Sequence, residues 1–227
     1  MSTYSLQLTL LRDTTFGRGD GVAGLLNTEV DHDEYGLPFL RGRALKGLLV
    51  YECADILFAL KQQGQEMTRW YAAARFLFGE PGSNLQGQAQ LYVGNACLPA
   101  ELQQTLMIRH APLKAAEAAQ FRTEVLNALT TIRRQTAVEI DGVAKDNSLR
   151  AIRLIIRETQ FEAPLTFLSE IEVVPLAKGL LAACVKSLRR AGTSRSRGPG
   201  LIKAELRQDG QAISHDWLTQ FFKTEVR

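Results

Sequence analysis

The chain has 227 residues, of which 45% are hydrophobic and 22% are charged, and both shares are ordinary for a globular protein. This length suits one sizeable domain or two small ones, and it excludes a disulfide miniprotein and a large multidomain machine. Lys and Arg number 27 against 24 Asp and Glu, and the resulting net charge of +3 is too small to indicate a polyanion partner by itself. The positions of the charges along the chain are therefore more informative about a binding partner than the net charge.

Cysteine usage and hydropathy indicate the compartment. Cys53, Cys97 and Cys184 lie far apart, without a Cys-x-x-Cys pair or a Cys/His pair at zinc spacing, which is typical of a reducing compartment. Residues 1–5 show no basic region followed by an apolar stretch, and no apolar run approaches the ~18 residues needed to span a bilayer. We expect a cytoplasmic protein with no membrane partner.

Hydrophobic periodicity predicts alternating strands and helices. Tyr4, Leu6, Leu8 and Leu10 alternate with polar residues, as in a half-buried strand. In chain order the predicted elements are a strand over 4–10, helices over 45–60 and 67–78, a strand over 88–98, a helix over 113–131, strands over 151–156 and 160–168, a helix over 174–188, a strand over 201–206 and a short helix over 217–222.

This order of elements predicts the fold class. The larger elements run strand, helix, strand, insertion, strand, helix, strand, which is typical of a ferredoxin-like (RRM-like) α+β unit. We predict a single domain over residues 1–227 with an antiparallel sheet, helices on one face and an insertion near residues 110–160. RNA-binding proteins of this architecture use the free face of the sheet, although architecture alone is an analogy for function.

Two short motifs invite enzymatic interpretations. The pattern Gly19-x-Gly21-x-x-Gly24 formally matches a dinucleotide-binding fingerprint, but residues 27–38 are turn-rich and do not predict the helix that a pyrophosphate requires. The acidic stretch 31–34 could hold a metal ion or form a solvated loop. His110 and His215 accompany no recognisable nucleophile motif, so no hydrolase triad is predicted. We expect no cofactor and no resident metal.

Clustered cations point to a phosphate-bearing ligand. Between Lys186 and Lys203 the chain carries six basic residues, no acidic residue and three glycines. Basic side chains attract phosphates, and glycines let backbone amides approach the same oxygens. The residues singled out in this loop are Arg195, Arg197, Gly198 and Gly200.

Two further basic groups support the same interpretation. Arg41, Arg43 and Lys46 stand at the start of the first long helix, where they oppose the helix dipole unless an anion binds there. A third group lies in and beside the insertion, with Glu139, Asp141 and Asp146 close by, so a mixed surface is the alternative. The predicted RNA-binding residues also include Arg18 of the glycine-rich loop. Those of the two basic groups are Arg41, Gly42, Arg43, Lys46, Arg133, Arg134, Lys145 and Arg150.

Four segments resemble a known superfamily. Residues 36–47, GLPFLRGRALKG, resemble the motif in which "GLP" and two apolar residues lead into "GSSLKG" in the repeat-associated mysterious protein (RAMP) superfamily of CRISPR effector subunits. Residues 77–79 before the strand at 90–93, residues 144–150, and the basic glycine-rich loop match in the same order. The chain most resembles the small backbone subunit of type III complexes.

The resemblance implies a fold and a set of partners. It implies a ferredoxin-like palm with a protruding thumb, bound to guide crRNA and target RNA beside neighbouring RAMP subunits and the large polymerase-like subunit. The family's guide-binding motif carries over to Gly42, Leu45, Lys46 and Gly47. Arg43 and Ala44 replace the usual two serines, and Arg43 could contact a phosphate instead.

The resemblance also places a cleavage site. Target-cleaving members carry an aspartate nine or ten positions before the "GLP" glycine, where this chain has Asn27. An amide cannot act as a general base and is a poor ligand for Mg²⁺. The prediction is a crRNA-binding subunit with a degenerate cleavage site, and the alternative is a Mg²⁺-dependent endoribonuclease that uses Asp31 or Asp33. A guide-processing ribonuclease and a nucleotide-cofactor enzyme are more remote.

Overall fold

The computed structural model describes residues 2–21, 26–80, 87–136, 142, 149–168, 175–193 and 198–225. The strands are β1 (Tyr4–Leu10), β2 (Leu91–Val93), β3 (Thr130–Gln135), β4 (Arg150–Ile155), β5 (Gln160–Phe167), β6 (Ile202–Gln208) and β7 (Gln211–Ala212). The helices are α1 (Gly42–Gln62), α2 (Thr68–Phe78), α3 (Ala100–His110), α4 (Ala115–Leu129), α5 (Pro175–Ser187) and α6 (Ser214–Glu225).

Five strands form one antiparallel sheet in the order β2-β5-β1-β6-β7. Leu8 of β1 lies opposite Phe161 of β5 and Ala204 of β6, and all three are buried on the same face. Helices α1, α2 and α5 join these residues in one hydrophobic core, because the alternation of the strands turns every second side chain toward them. The predicted ferredoxin-like α+β fold is confirmed.

The chain between β2 and β5 leaves the main sheet. It contains α3, α4 and a hairpin of β3 and β4, in which Thr130 pairs with Ile155 and Gln135 with Arg150. The hairpin joins the rest of the chain through Thr14, whose amide donates to the carbonyl of Ile155 at 3.0 Å. The single domain over 1–227 and the boundaries near 110–160 stay predictions.

Four elements differ from the predictions: α3, β3 and β7 were not predicted, and the predicted strand over 88–98 is shorter. None of the residues of α3 is buried. The predicted strand over 88–98 is confined to Leu91–Val93; beyond it, Ala96 pairs with Leu40 and Cys97 with Glu162 as isolated bridges. Within the described ranges, no helix is both long and apolar enough to cross a membrane.

Candidate nucleic-acid interface

Carboxylates occupy the middle of the open face of the sheet, and an exposed aromatic side chain, Tyr92, lies on that face at the edge strand β2. Gln7 lies between Glu162 and Glu205 in the middle of that face, and Glu205 has Lys203 and Arg207 at 3.9 and 4.0 Å. Single-stranded RNA is bound on such sheets by stacked aromatic side chains, and carboxylates repel its phosphates. A phosphate ligand is therefore expected at the edge of the sheet rather than in the middle of this face.

Helix α1 begins tightly against β2. A Cβ atom on Gly42 would lie 2.2 Å from the carbonyl oxygen of Val93, so only glycine fits there. The Gly42 amide donates to Oδ1 of Asn95 at 2.9 Å, which satisfies one free N–H of the first helical turn. Gly42 is thus accounted for by packing, and its predicted contact with RNA stays a prediction.

The cations at the start of α1 have different surroundings. The Arg41 guanidinium is bound to both carboxylate oxygens of Asp31, which raises its pKa. Neither Arg43 nor Lys46 has a hydrogen-bond or ion-pair partner among the described residues, and the first turn carries no acidic side chain. Lys46 is half-buried, and this burial lowers its pKa. An anion bound here would offset the cost of burying the Lys46 charge. It would also offset the unfavourable interaction of the two cations with the helix dipole.

A second basic region is a pocket of about 390 Å³ at the base of the β3–β4 hairpin. We call it the arginine pocket. Its lining comes from four separate stretches of chain: the residues after β1, strand β3, the β4–β5 turn, and the end of the glycine-rich basic loop. The lining residues are Arg12, Asp13, Arg133, Arg157, Gly198 and Pro199.

Backbone geometry builds this pocket. Gly198 has a φ of 104°, which favours glycine, and a Cβ added to it would meet nothing closer than the Arg12 guanidinium at 4.0 Å. The Gly200 amide donates to the carbonyl of Asp13 at 3.4 Å. The described end of this loop, residues 198–200, is therefore held against the end of β1, with Gly198 beside the Arg12 guanidinium.

The remaining predicted cations lie elsewhere or are engaged. Arg18 is exposed and donates to Asp20 at 2.7 Å, which raises the pKa of Arg18 and lowers that of Asp20. In the β3–β4 register Arg150 shares a face with Arg133, whereas Arg134 points to the opposite face. The positions outside the described residues are Lys145, Arg195 and Arg197.

The three candidates for a cleavage site are each held by the chain itself. Asn27 accepts a hydrogen bond from the Ala151 amide at 2.8 Å, which fixes it beside β4. Asp31 is buried against Arg41, as described above. Oδ1 of Asp33 accepts from the amides of two residues of the following turn, both at 2.9 Å.

Neither Asp31 nor Asn27 fits a Mg²⁺ site. Mg²⁺ is held by carboxylate oxygens that are free to point at the ion, whereas Asp31 uses both oxygens on a guanidinium and Asn27 brings an amide. In the described parts of the chain, no group of three or more His, Cys, Asp and Glu side chains could hold a metal ion. Among the described residues, the first helix after the glycine-rich loop is α1, which starts at Gly42, so no described helix adjoins the loop as a dinucleotide requires.

Sequence reasoning missed the residues that hold this region together. Glu29 and Arg153 form a buried ion pair, with Oε1 and Nε 2.9 Å apart but not aligned as a hydrogen bond. Arg153 also donates to Asn127 at 2.9 Å and to Thr130 at 3.0 Å. Arg12 and Asp13 were missed as well, and their one signal was their place directly after a clear strand.

One stretch of chain joins the two basic regions. Residues 26–41, the linker segment, run beside β4, where the Arg153 amide donates to the carbonyl of Thr28 at 3.1 Å. At its other end Leu40 exchanges two hydrogen bonds with Ala96 just before α1 begins. The linker segment is therefore hydrogen-bonded to the hairpin near its start and to Ala96 near its end, just before α1.

Comparisons with known proteins give a fold. No protein-family model matches the sequence, and no curated protein is significantly similar to it. A chain of the type III-B Cmr-beta complex bound to cognate target RNA has a TM-score of 0.60 at 13% identity, over 96% of this chain and 98% of that chain. A chain of the apo type III-B Cmr-beta complex has a TM-score of 0.59 at 14% identity, over 92% and 97%. A chain of a type IV-B CRISPR complex has a TM-score of 0.56 at 11% identity, over 90% of each. The chain therefore has the fold of subunits of type III-B and type IV-B CRISPR complexes, which confirms the resemblance to RAMP effector subunits at the level of fold.

Proposed function

We propose that this chain is a crRNA-binding backbone subunit of a type III-like CRISPR interference ribonucleoprotein. The observation that carries the proposal is the arginine pocket, where cationic side chains and a glycine-rich loop from four distant stretches meet. Such a cluster of cations suits a single-stranded RNA backbone, since the backbone presents a row of phosphates to which the cations are attracted. The fold shared with subunits of CRISPR complexes, one of them bound to target RNA, supports this ligand.

The proposal assigns separate tasks to the two basic regions. Arg43 and Lys46 at the start of α1 contact phosphates of the guide, as the position of the guide-binding motif implies. The arginine pocket contacts the strand at the base of the hairpin, and Arg195 and Arg197, which precede Gly198, extend that contact. Target RNA, neighbouring RAMP subunits and the large polymerase-like subunit are the remaining partners in this proposal, and the cytoplasm is the compartment.

The same proposal makes this subunit a binder rather than a nuclease. Asn27, Asp31 and Asp33 each serve a hydrogen bond or an ion pair within the chain, which supports a cleavage site that has lost its chemistry. Both oxygens of Asp31 already accept hydrogen bonds from the Arg41 guanidinium, so this carboxylate is not arranged to orient a nucleophile or to take its proton. We therefore assign no step of RNA cleavage to this chain.

The proposal is tested by removing charge from the pocket. We expect Arg133→Gln with Arg157→Gln to weaken the binding of single-stranded guide RNA at least about ten-fold at moderate salt, whatever its sequence. Each lost phosphate contact lowers the salt slope by about 0.7, so the double variant should lose about 1.4. Fluorescence anisotropy over a series of salt concentrations measures both quantities.

A matched control separates local contact from net charge. Lys61→Gln with Arg75→Gln removes the same charge from the far end of α1 and from an exposed α2 pair with Glu80. This control should keep its affinity within about two-fold, since those cations lie outside both basic regions. Equal losses in the two double variants, or no loss in either, would overturn the proposed function.

A further inference from the structure

The arginine pocket contains one acidic residue, and its position is unusual for a site that binds an anion. Among the six lining residues, three are arginines and Asp13 is the one carboxylate. A carboxylate beside a phosphate is repelled, so it lowers affinity unless it serves another purpose. Asp13 therefore needs an explanation that the proposed function does not supply.

Both oxygens of Asp13 are in use. Oδ2 accepts from Nη2 of Arg133 at 3.1 Å, and Oδ1 accepts from the backbone amide of Arg157 at 3.1 Å. The guanidinium groups of Arg12 and Arg157 have no ion-pair or hydrogen-bond partner among the described residues. Asp13 thus pairs with one of the three arginines of the pocket and holds the β4–β5 turn through a backbone amide.

The pair of Asp13 and Arg133 is accessible to solvent. The side chain of Arg133 is 49% exposed and that of Asp13 25% exposed. Exposed ion pairs of this kind contribute little to stability, so a competing anion can take one partner at small cost. A phosphate oxygen accepts from a guanidinium in the same geometry as a carboxylate oxygen does.

We propose that the arginine pocket binds one phosphate group of an RNA strand, and that Asp13 is an internal anion which Arg133 leaves when the phosphate enters. This rests on the proposed function and names the ligand of its pocket. Arg12 and Arg157 attract the phosphate, and Arg133 then swings from Asp13 to it. Asp13 keeps the Arg157 amide, so the turn stays in place. A volume of about 390 Å³ leaves room for the attached ribose beside the phosphate.

The test removes the charge of Asp13 and keeps its shape. In Asp13→Asn the side-chain oxygen can still accept from the Arg157 amide, whereas Arg133 loses its counter-charge. We expect this variant to bind single-stranded RNA about five-fold more tightly at low salt, because one repulsive charge near the phosphate is gone. The gain should shrink as salt is added.

A double-mutant cycle shows whether Arg133 carries the effect. In an Arg133→Gln background, Asp13→Asn should give at most about a third of its gain, because there is no guanidinium left to release. Glu80→Gln is the matched control: it breaks a comparable exposed pair with Arg75 on α2 and should leave RNA affinity unchanged. A second readout uses the unmodified chain, in which the NMR signal of the Asp13 carboxyl carbon should shift on addition of RNA while that of Glu80 stays.

The outcomes separate this inference from the proposed function. A gain for Asp13→Asn that depends on Arg133, with a shifted Asp13 carboxyl signal, supports the exchange. Unchanged or weaker binding by Asp13→Asn, a gain shared with Glu80→Gln, or a static Asp13 signal overturns the inference. If Arg133→Gln with Arg157→Gln still weakens RNA binding, the proposed function survives the failure of this inference. If that double variant binds RNA as tightly as the unmodified chain, both the inference and the proposed function are overturned.

Discussion

The linker segment and the arginine pocket adjoin the same hairpin but use charge in opposite ways. In the linker segment Glu29 and Asp31 are both buried, and each is paired with an arginine. In the pocket Arg12 and Arg157 are exposed, and their guanidinium groups have no partner within the described ranges. Buried carboxylates need counter-charges for the chain to fold, whereas unpaired exposed arginines are available to an outside anion. Charge that holds the fold is thereby separated from charge available to a ligand.

The substitution that we expect to lower stability most removes a charge from the most buried ion pair of the linker segment. The side chains of Glu29 and Arg153 are 5% and 13% exposed, so Glu29→Gln leaves a buried guanidinium without its counter-charge. We expect the free energy of unfolding to fall by about 3 kcal/mol. Urea denaturation measures this, with Glu162→Gln on the exposed face of β5 as the control. If Glu29→Gln lowers the free energy of unfolding no more than the control does, the buried pair contributes no more to stability than an exposed charge.

A smaller effect is expected at Asp31, whose partner is more exposed. The Arg41 side chain is 61% exposed, so water can replace part of the pairing when Asp31→Asn removes the charge. We expect the free energy of unfolding to fall by about 1.5 kcal/mol. Any cutting of target RNA by the assembled complex with Mg²⁺ should be unchanged.

Asp33→Asn is the companion variant for that cutting assay. Its side-chain oxygen Oδ1 still accepts from the amides of the turn, so the loop keeps its shape. A cut that disappears in both variants while both remain folded would place a nuclease site in the linker segment. That result would remove the contrast between the two regions.

The smallest expected effect concerns Lys46. Burial lowers its pKa, so the unfolded chain holds this proton more tightly, and stability should rise with pH between the lowered value and the ordinary 10.5. Lys46→Met keeps the apolar stem and removes the charge. We expect the free energy of unfolding to stay within about 0.5 kcal/mol, the pH dependence in that interval to flatten, and RNA affinity to fall about three-fold. Unchanged affinity and salt slope would remove Lys46 from the interface.

Local periodicity explains which parts of the fold were predictable. Strands β1, β5 and β6 bury every second residue, and helices α1, α2 and α5 bury a repeating face, so their patterns are visible in the sequence. Helix α3 has no fully buried residue, and β3 carries mainly exposed residues, so neither leaves a clear pattern. Of the predicted RNA-binding residues, Arg133 and Gly198 meet in the pocket, which no spacing in the sequence indicates.

The α+β class, the strands and helices that face the core, and the basic segments rich in glycine can all be predicted from the amino-acid sequence. These follow from short-range periodicity and composition, because burial of a strand or helix face repeats every few residues. Which charges pair becomes visible in the folded chain alone: Asp31 pairs with Arg41, Glu29 with Arg153, and Asp13 with Arg133. Partners as far apart as Asp13 and Arg133 are brought together by sheet order and hairpin register, and those long-range arrangements leave no local signature.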